Sequence, residues 1–312
     1  MAWMGTATLC CRLIRLPSAR RAPPSRRAWC SAAQSPDAVD KEYADLNLRP
    51  LYPNRGHHLR IRQHVNPLSS SFSEPTGPPE WKEVFEDPLL PLMVDIGCGV
   101  RALFFPFPCI HYGDLLLEGV LIYREWEVLD LACQELGREA ELPWARNPAK
   151  GFSGSKLVER TQFWVNELGL RNVYFMFANA TVSFQQIISS YPGPLSLVSI
   201  LCPDPHFKKR HHKRRVLQPM LVDSITKNLC LGGRVFIQSD ILEVAVDMRE
   251  RFDGYSDILA HVNYIDKGLQ CDHEGWLLEN PMGIRTEREI HAELEGATIY
   301  RRMYQKIRDV SH

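Results

Sequence analysis

Between Leu92 and Tyr304 the chain alternates short apolar runs, rich in β-branched residues, with longer stretches of helical period. That alternation leaves one economical solution, a doubly wound α/β fold with a mainly parallel sheet. LMVDIG, from Leu92, reads as a first strand ending in a glycine turn, and Val173 to Ala178 as another. LSLVSIL, from Leu195 to Leu201, reads as a buried strand bounded by Pro194 and Pro203. Strand Arg234 to Gln238 and a last strand, Thr298 to Tyr304, expected at an edge, follow. Helical spacing predicts helices over Lys156 to Leu168 (inner face Leu157, Phe163, Trp164 and Leu168), Val182 to Tyr191, and Arg215 to Leu229, the last closed by Gly232 and Gly233. Two more are predicted over Leu242 to Phe252 and Glu287 to Leu294.

A chain of 312 residues, 45% hydrophobic, can bury one sizeable core. The expected organisation is an N-terminal targeting stretch over 1–36, an extension or linker over 37–91 and a single α/β domain over 92–312. The first 36 residues carry six arginines and no Asp or Glu, the composition of an organellar transit peptide, with chloroplast placed ahead of mitochondrion. A disordered RNA-binding arm is the alternative, which would leave the protein in the nucleus or cytoplasm. No apolar stretch approaches the roughly 20 residues that span a bilayer, so no membrane partner is expected. Nine cysteines without a C-x-x-C pair suggest neither a disulfide framework nor a metal site. Cys98 and Cys202 are expected to fill small spaces in the core.

The net charge is zero, so any affinity for a polyanion must be local. It is concentrated in PDPHFKKRHHKRR, Pro203 to Arg215, where one carboxylate, Asp204, is set among six Lys or Arg and three His. The run follows a predicted strand, and loops at the carboxyl ends of such strands are where open α/β sheets bind ligands. Lys208, Lys209, Arg210, Lys213, Arg214 and Arg215 could neutralise phosphates without reading sequence. Asp204 could read a base, because a carboxylate accepts hydrogen bonds from the N1–H and N2–H2 edge of guanine. A solvated charge run or a nuclear-import signal is the plainer alternative for the same residues. His57 and His58, among Arg55, Arg60 and Arg62, suit a surface loop and an RNA-contacting arm equally.

The run resembles the signature of the tRNA guanine-N7 methyltransferases. RQHVNPLS (Arg62 to Ser69), VDIGCG (Val94 to Gly99), KLVERTQFWVNELGLRNVYFMFANA (Lys156 to Ala180), GGRVFIQSD (Gly232 to Asp240), NPMGIRTERE (Asn280 to Glu289) and the closing IYRRMYQK resemble the family in its own order. The resemblance implies a Rossmann-like class I methyltransferase with an antiparallel edge strand, S-adenosylmethionine as cofactor, tRNA as partner, and methylation of the guanine at position 46 in the variable loop. It also implies Asp204 as the catalytic or substrate-gripping residue. Gly97, Gly99, Asn179, Ala180, Leu201, Thr286 and Glu289 are implied on the cofactor side, and Lys208 and Asp240 on the substrate side. Read without the family, Asn179 is a turn former, and Thr286 with Glu289 a capping box.

The likeness breaks after Gly99. The family continues with a third glycine, a helix, and a strand ending in an acid for the ribose hydroxyls. Here Val100, Arg101 and a run containing Pro106 and Pro108 follow, and prolines oppose an immediate helix. The glycine-rich motif is therefore disrupted over 100–155, a segment that a retained intron could produce. LLLEGVLIY could supply a strand, with Glu118 or Glu125 standing in for the missing acid. Two functions stay open: the methyltransferase, or a tRNA-binding isoform with an incomplete cofactor pocket.

Overall fold

A computed structural model describes residues 73–96, 118–123, 172–283 and 285–309, with backbone alone for 118–123, Phe177 and Glu287. Seven strands form one sheet: β1 (Leu92–Ile96), β2 (Glu118–Tyr123), β3 (Val173–Phe177), β4 (Leu195–Leu201), β5 (Leu229–Ser239), β6 (Leu259–His261) and β7 (Tyr300–Lys306), in the order β3-β2-β1-β4-β5-β7-β6. β1 to β5 pair in parallel. β7 runs antiparallel to both β5 and β6, so the one reversed strand lies second from the edge, and the three-residue β6 takes the edge expected for it. β6 is too short for periodicity to reveal.

Five helices are described: α1 (Trp81–Val84), α2 (Ala180–Ser189), α3 (Pro219–Asn228), α4 (Leu242–Asp253) and α5 (Glu287–Leu294). α5 matches its predicted span, and α4 runs one residue further than expected. α3 begins four residues later than predicted because Pro219, whose fixed φ and missing N–H suit a first helical position, starts it. Residues 209–214 ahead of it form a 3-10 coil. Gly232 and Gly233 do not close α3. They lie within β5, where pairing jumps from Leu195↔Leu229 to Leu197↔Arg234. Gly232, with φ +82°, makes that excursion possible. The predicted helix over Lys156 to Leu168 lies outside the described residues.

β1 is buried along its whole length, as expected of a central parallel strand covered on both faces. Phe184 and Ile187 of α2, Leu221 and Ile225 of α3, and Met248 and Phe252 of α4 join Val94, Val198 and Ile200 in one core. Each such side chain contributes about 1.5–3 kcal/mol on burial. Trp81 closes one end: its ring meets Tyr191 edge-on at 5.0 Å, and its Nε1 donates to Ser190 Oγ at 2.9 Å. The result is a rigid platform whose carboxyl edge carries the sequence motifs.

Candidate active site

β4 delivers the chain into Cys202-Pro203-Asp204-Pro205-His206 at that edge. Cys202 (φ 46°) and His206 (φ 44°) both adopt left-handed backbone, a conformation costing a residue with a Cβ about 1–3 kcal/mol unless its surroundings enforce it. Cys202 N donates to Gln238 O at 2.7 Å, which carries the β4–β5 pairing one step past the strand. Gln238 Nε2 also lies 3.9 Å from Cys202 Sγ. Desolvation pushes the Cys202 thiol up to about 12, so it stays protonated, but the residue is half-buried at the sheet's carboxyl edge rather than in the core where it was expected; Cys98 lies outside the described residues. Asp204 Oδ1 accepts from His206 N at 3.4 Å, and Oδ2 lies 3.9 Å from His206 Nε2. The carboxylate is thus set between two turned residues and keeps 30% of its side chain exposed.

Beyond the loop the basic run coils tightly. Lys208, Lys209, Arg210 and Lys213 are exposed, Arg214 is half-buried, and Phe207 is 59% exposed beside them. Arg210 Nε donates to His211 Nε2 at 3.2 Å. Desolvation and the neighbouring Arg214, Arg210 and Lys208 hold His211 below its ordinary pKa. Arg215 departs from the expectation of a phosphate contact. It is buried and paired with Glu243 (2.6 Å) and Asp247 (3.3 Å) of α4, and its Nε donates to Pro205 O at 3.0 Å. Its charge is spent inside the protein.

The end of β5 and the start of α5 meet the same edge. Thr286 caps α5 in a full capping box: its Oγ1 accepts from Glu289 N at 3.1 Å, and Glu289 Oε2 accepts from Thr286 N at 3.3 Å. Glu289 is fully buried and also accepts from Gln238 Nε2 (3.0 Å), Asn280 Nδ2 (3.0 Å) and Arg301 Nη2. Arg301 Nε returns to Gln238 Oε1 at 3.2 Å. With those lone pairs already engaged, Glu289 is a structural hub rather than the cofactor ligand its position suggested. Asp240 is engaged likewise, accepting both Nε and Nη2 of Arg288, so its role on the substrate side would run through that guanidinium.

On the other half of the edge, Asn179 caps α2, its Oδ1 accepting from Thr181 N at 3.2 Å. Ala180 is fully buried and Leu201 partly exposed. Thr181 Oγ1 is buried with no hydrogen-bond partner among the described residues, an orphan that a bound adenosine-like group would suit. Asp95 in β1 escaped sequence reasoning, although an acid inside an apolar strand is itself a signal. It aligns with Ser199 of β4, whose Oγ donates to it at 2.5 Å, and burial raises its pKa to about 7 against that hydrogen bond. Gly97, Gly99 and Glu125 lie outside the described residues. Glu118 pairs with Leu92, at the start of β1, so it stands at the opposite end from the motifs and cannot replace the missing acid. The donor set therefore fits S-adenosylmethionine along β1, β3 and β4 and offers no ribose-binding acid on described β2.

Among the described residues no three His, Cys, Asp or Glu are grouped to hold a metal, and no helix is long and apolar enough to cross a membrane. Strand order, the reversed β7 and a carboxylate loop at the carboxyl edge define a Rossmann-like, class I methyltransferase. A family model described as "Putative methyltransferase" matches residues 154–302. The tRNA (guanine-N(7)-)-methyltransferase of Synechococcus sp. (strain JA-2-3B'a(2-13)) is 39% identical over 252 residues, 81% of this chain and 86% of that protein. Those of Trichormus variabilis (36%; 80% of this chain, 97% of that one) and Synechocystis sp. (35%; 80% and 98%) agree. The chain belongs to the tRNA (guanine-N7-)-methyltransferase family. Among solved structures, an rRNA methylase from Streptococcus thermophilus superposes with a TM-score of 0.35 at 12% identity, over 73% of this chain and 92% of that one.

Proposed function

We infer that this chain methylates N7 of a guanine in tRNA, at position 46 of the variable loop, with S-adenosylmethionine as donor. The observation that carries the reading is Asp204, held partly exposed at the end of β4 with a basic coil directly after it. When bound, S-adenosylmethionine supplies a methyl already activated on its sulfonium. Guanine N7 holds a free lone pair at neutral pH, so the protein need not remove a proton before attack. Its task is alignment and charge. Asp204 accepts the N1–H and N2–H2 edge of the base and favours the positive charge that methylation leaves on it. Lys208, Lys209, Arg210, Lys213 and Arg214 hold the backbone on either side, which supports tRNA as the partner. Asn179, Thr181 and Asp95 are the described residues that would hold the cofactor. Incubating the protein with unmodified tRNA and with a transcript carrying adenine at position 46 tests this: product should form on the first alone.

A second reading, a tRNA-binding isoform with an impaired cofactor pocket, is favoured by the register that puts Glu118 at the wrong end of β2. Equilibrium binding of labelled S-adenosylmethionine separates the two, since folded protein that binds tRNA but no cofactor fits the second alone. Sequencing the transcript from Gly99 to Lys156 tests the retained-intron origin of the departing segment. The arginine-rich start supports import into an organelle, chloroplast before mitochondrion, and a fluorescent fusion of residues 1–36 checks it.

A further inference from the structure

We propose that Arg215 is a positioning residue for Asp204, locking the Cys202 to His206 loop onto α4 so that the phosphate-binding coil and the base-gripping carboxylate move as one unit. This rests on the functional reading above. A guanidinium has five N–H donors in a fixed fork. Here Nε reaches Pro205 O at 3.0 Å, Nη2 reaches Glu243 Oε1 at 2.6 Å and lies 3.1 Å from His212 Nε2, and Nη1 lies 3.3 Å from Asp247 Oδ2.

Pro205 O belongs to the peptide that joins Asp204's neighbour to the left-handed His206, so rotation of that peptide would swing the carboxylate. The loop's entrance is fixed separately, by Cys202 N on Gln238 O. Arg215 fixes its exit. Its own backbone is pinned in turn: Arg215 N donates to His212 O at 2.9 Å, and Gln218 Nε2 donates to Arg215 O at 2.8 Å and to His212 O at 3.1 Å. The coil carrying Lys209, Arg210 and Lys213 therefore ends on the residue that holds Pro205. A lysine could not serve, because one ammonium on a flexible stem cannot meet a carbonyl and two carboxylates in this fork geometry.

The test uses the full chain, comparing wild type, Arg215→Lys and the double variant Glu243→Gln/Asp247→Asn. Three readouts are taken: the single-turnover methyl-transfer rate at saturating tRNA and cofactor, the tRNA Kd, and hydrogen exchange at the amides of 202–206. Arg215→Lys should slow transfer about 100-fold through misplacement of the loop. Its tRNA Kd should stay within about threefold, since Arg215 touches no phosphate, while the His206 amide exchanges faster and that of Cys202, held by Gln238 O, changes little. The double variant keeps the Nε bond to Pro205 and leaves amide oxygens to accept from the fork, but it weakens the hold on α4, so it should slow transfer and speed loop exchange, each less than Arg215→Lys. A weaker Kd with an unchanged saturated rate would make Arg215 a phosphate ligand and overturn the proposal. So would unchanged loop exchange in either variant. Should Arg215→Lys lose protection throughout the sheet, the double variant decides. An inactive wild type would sink the functional reading alone, because exchange still reports whether Arg215 orders the loop.

Discussion

The two halves of the sheet differ in how their carboxyl edge is wired. On the β4, β5 and β7 side, Gln238, Glu289, Arg301, Asn280 and Arg215 close a nearly continuous set of polar contacts around the Asp204 loop. On the β1, β2 and β3 side the described contacts near that edge are the local Asn179 cap and one buried inter-strand pair, Asp95 with Ser199 of β4, and the family's acid is not replaced by Glu118. The Asp204 loop is therefore held on both flanks by described residues. The cofactor side depends on chain beyond Gly99, where the sequence leaves its family.

The sharpest way to break this contrast is at Asp204. Asp204→Ala should lower methyl transfer about a thousandfold while tRNA affinity, measured by filter binding, changes only severalfold; equal loss of both would dissolve the division between base grip and backbone grip. Next comes the wiring itself. Glu289→Gln removes the fully buried carboxylate from Arg301, leaving it Glu293 at 3.1 Å and Gln238, and should cost about 3 kcal/mol in a denaturant titration, whereas a cofactor ligand at the same place would lose affinity with little loss of stability. The weak half can be repaired. Replacing residues 100–155 with the corresponding segment of the Synechocystis relative should tighten S-adenosylmethionine binding by at least about tenfold, or roughly 1.4 kcal/mol, by calorimetry. Changing Lys208, Lys209 and Arg210 to Ala should weaken tRNA binding and flatten its dependence on salt by about one unit of slope for each phosphate no longer neutralised.

The smallest effect lies far from the edge, at His261. Burial and the nearby Arg302 hold its folded pKa near about 4 against 6.5, despite its contact with Asn263. The unfolded chain thus takes the proton first as pH falls, and stability declines from about 6.5 down to about 4. Near pH 5.5 the loss is on the order of 1 kcal/mol, and His261→Gln should remove that part of the slope.

Local features were legible in the sequence. β4 and α5 were readable to their ends, because prolines bracket the one and a capping box opens the other. The disposition of charge was not. Arg215 reads like its basic neighbours until α4, more than twenty residues later, brings Glu243 and Asp247 against it. The reach of β5 was hidden because Gly232 and Gly233 carry the signature of a helix end and serve as a strand excursion. The position of β7 was hidden because its edge neighbour has three residues. The Asp204 loop was found from composition, but its left-handed shoulders were invisible, since nothing in Cys-Pro or Pro-His announces a positive φ.

Arg301 gives the site a history as well as a geometry. It lies 63 residues after its partner Gln238, and further still after Asp204. At ordinary rates of synthesis, about 5–20 residues per second, the Asp204 loop leaves the ribosome some seconds before the strand that secures its floor. A chain cut short before β7 would carry every basic residue of the 208–215 run and the aspartate itself, yet Gln238 and Glu289 would meet an empty place where the guanidinium belongs. The floor beneath the loop is thus complete only once the C-terminal strand has paired with β5 on one side and β6 on the other.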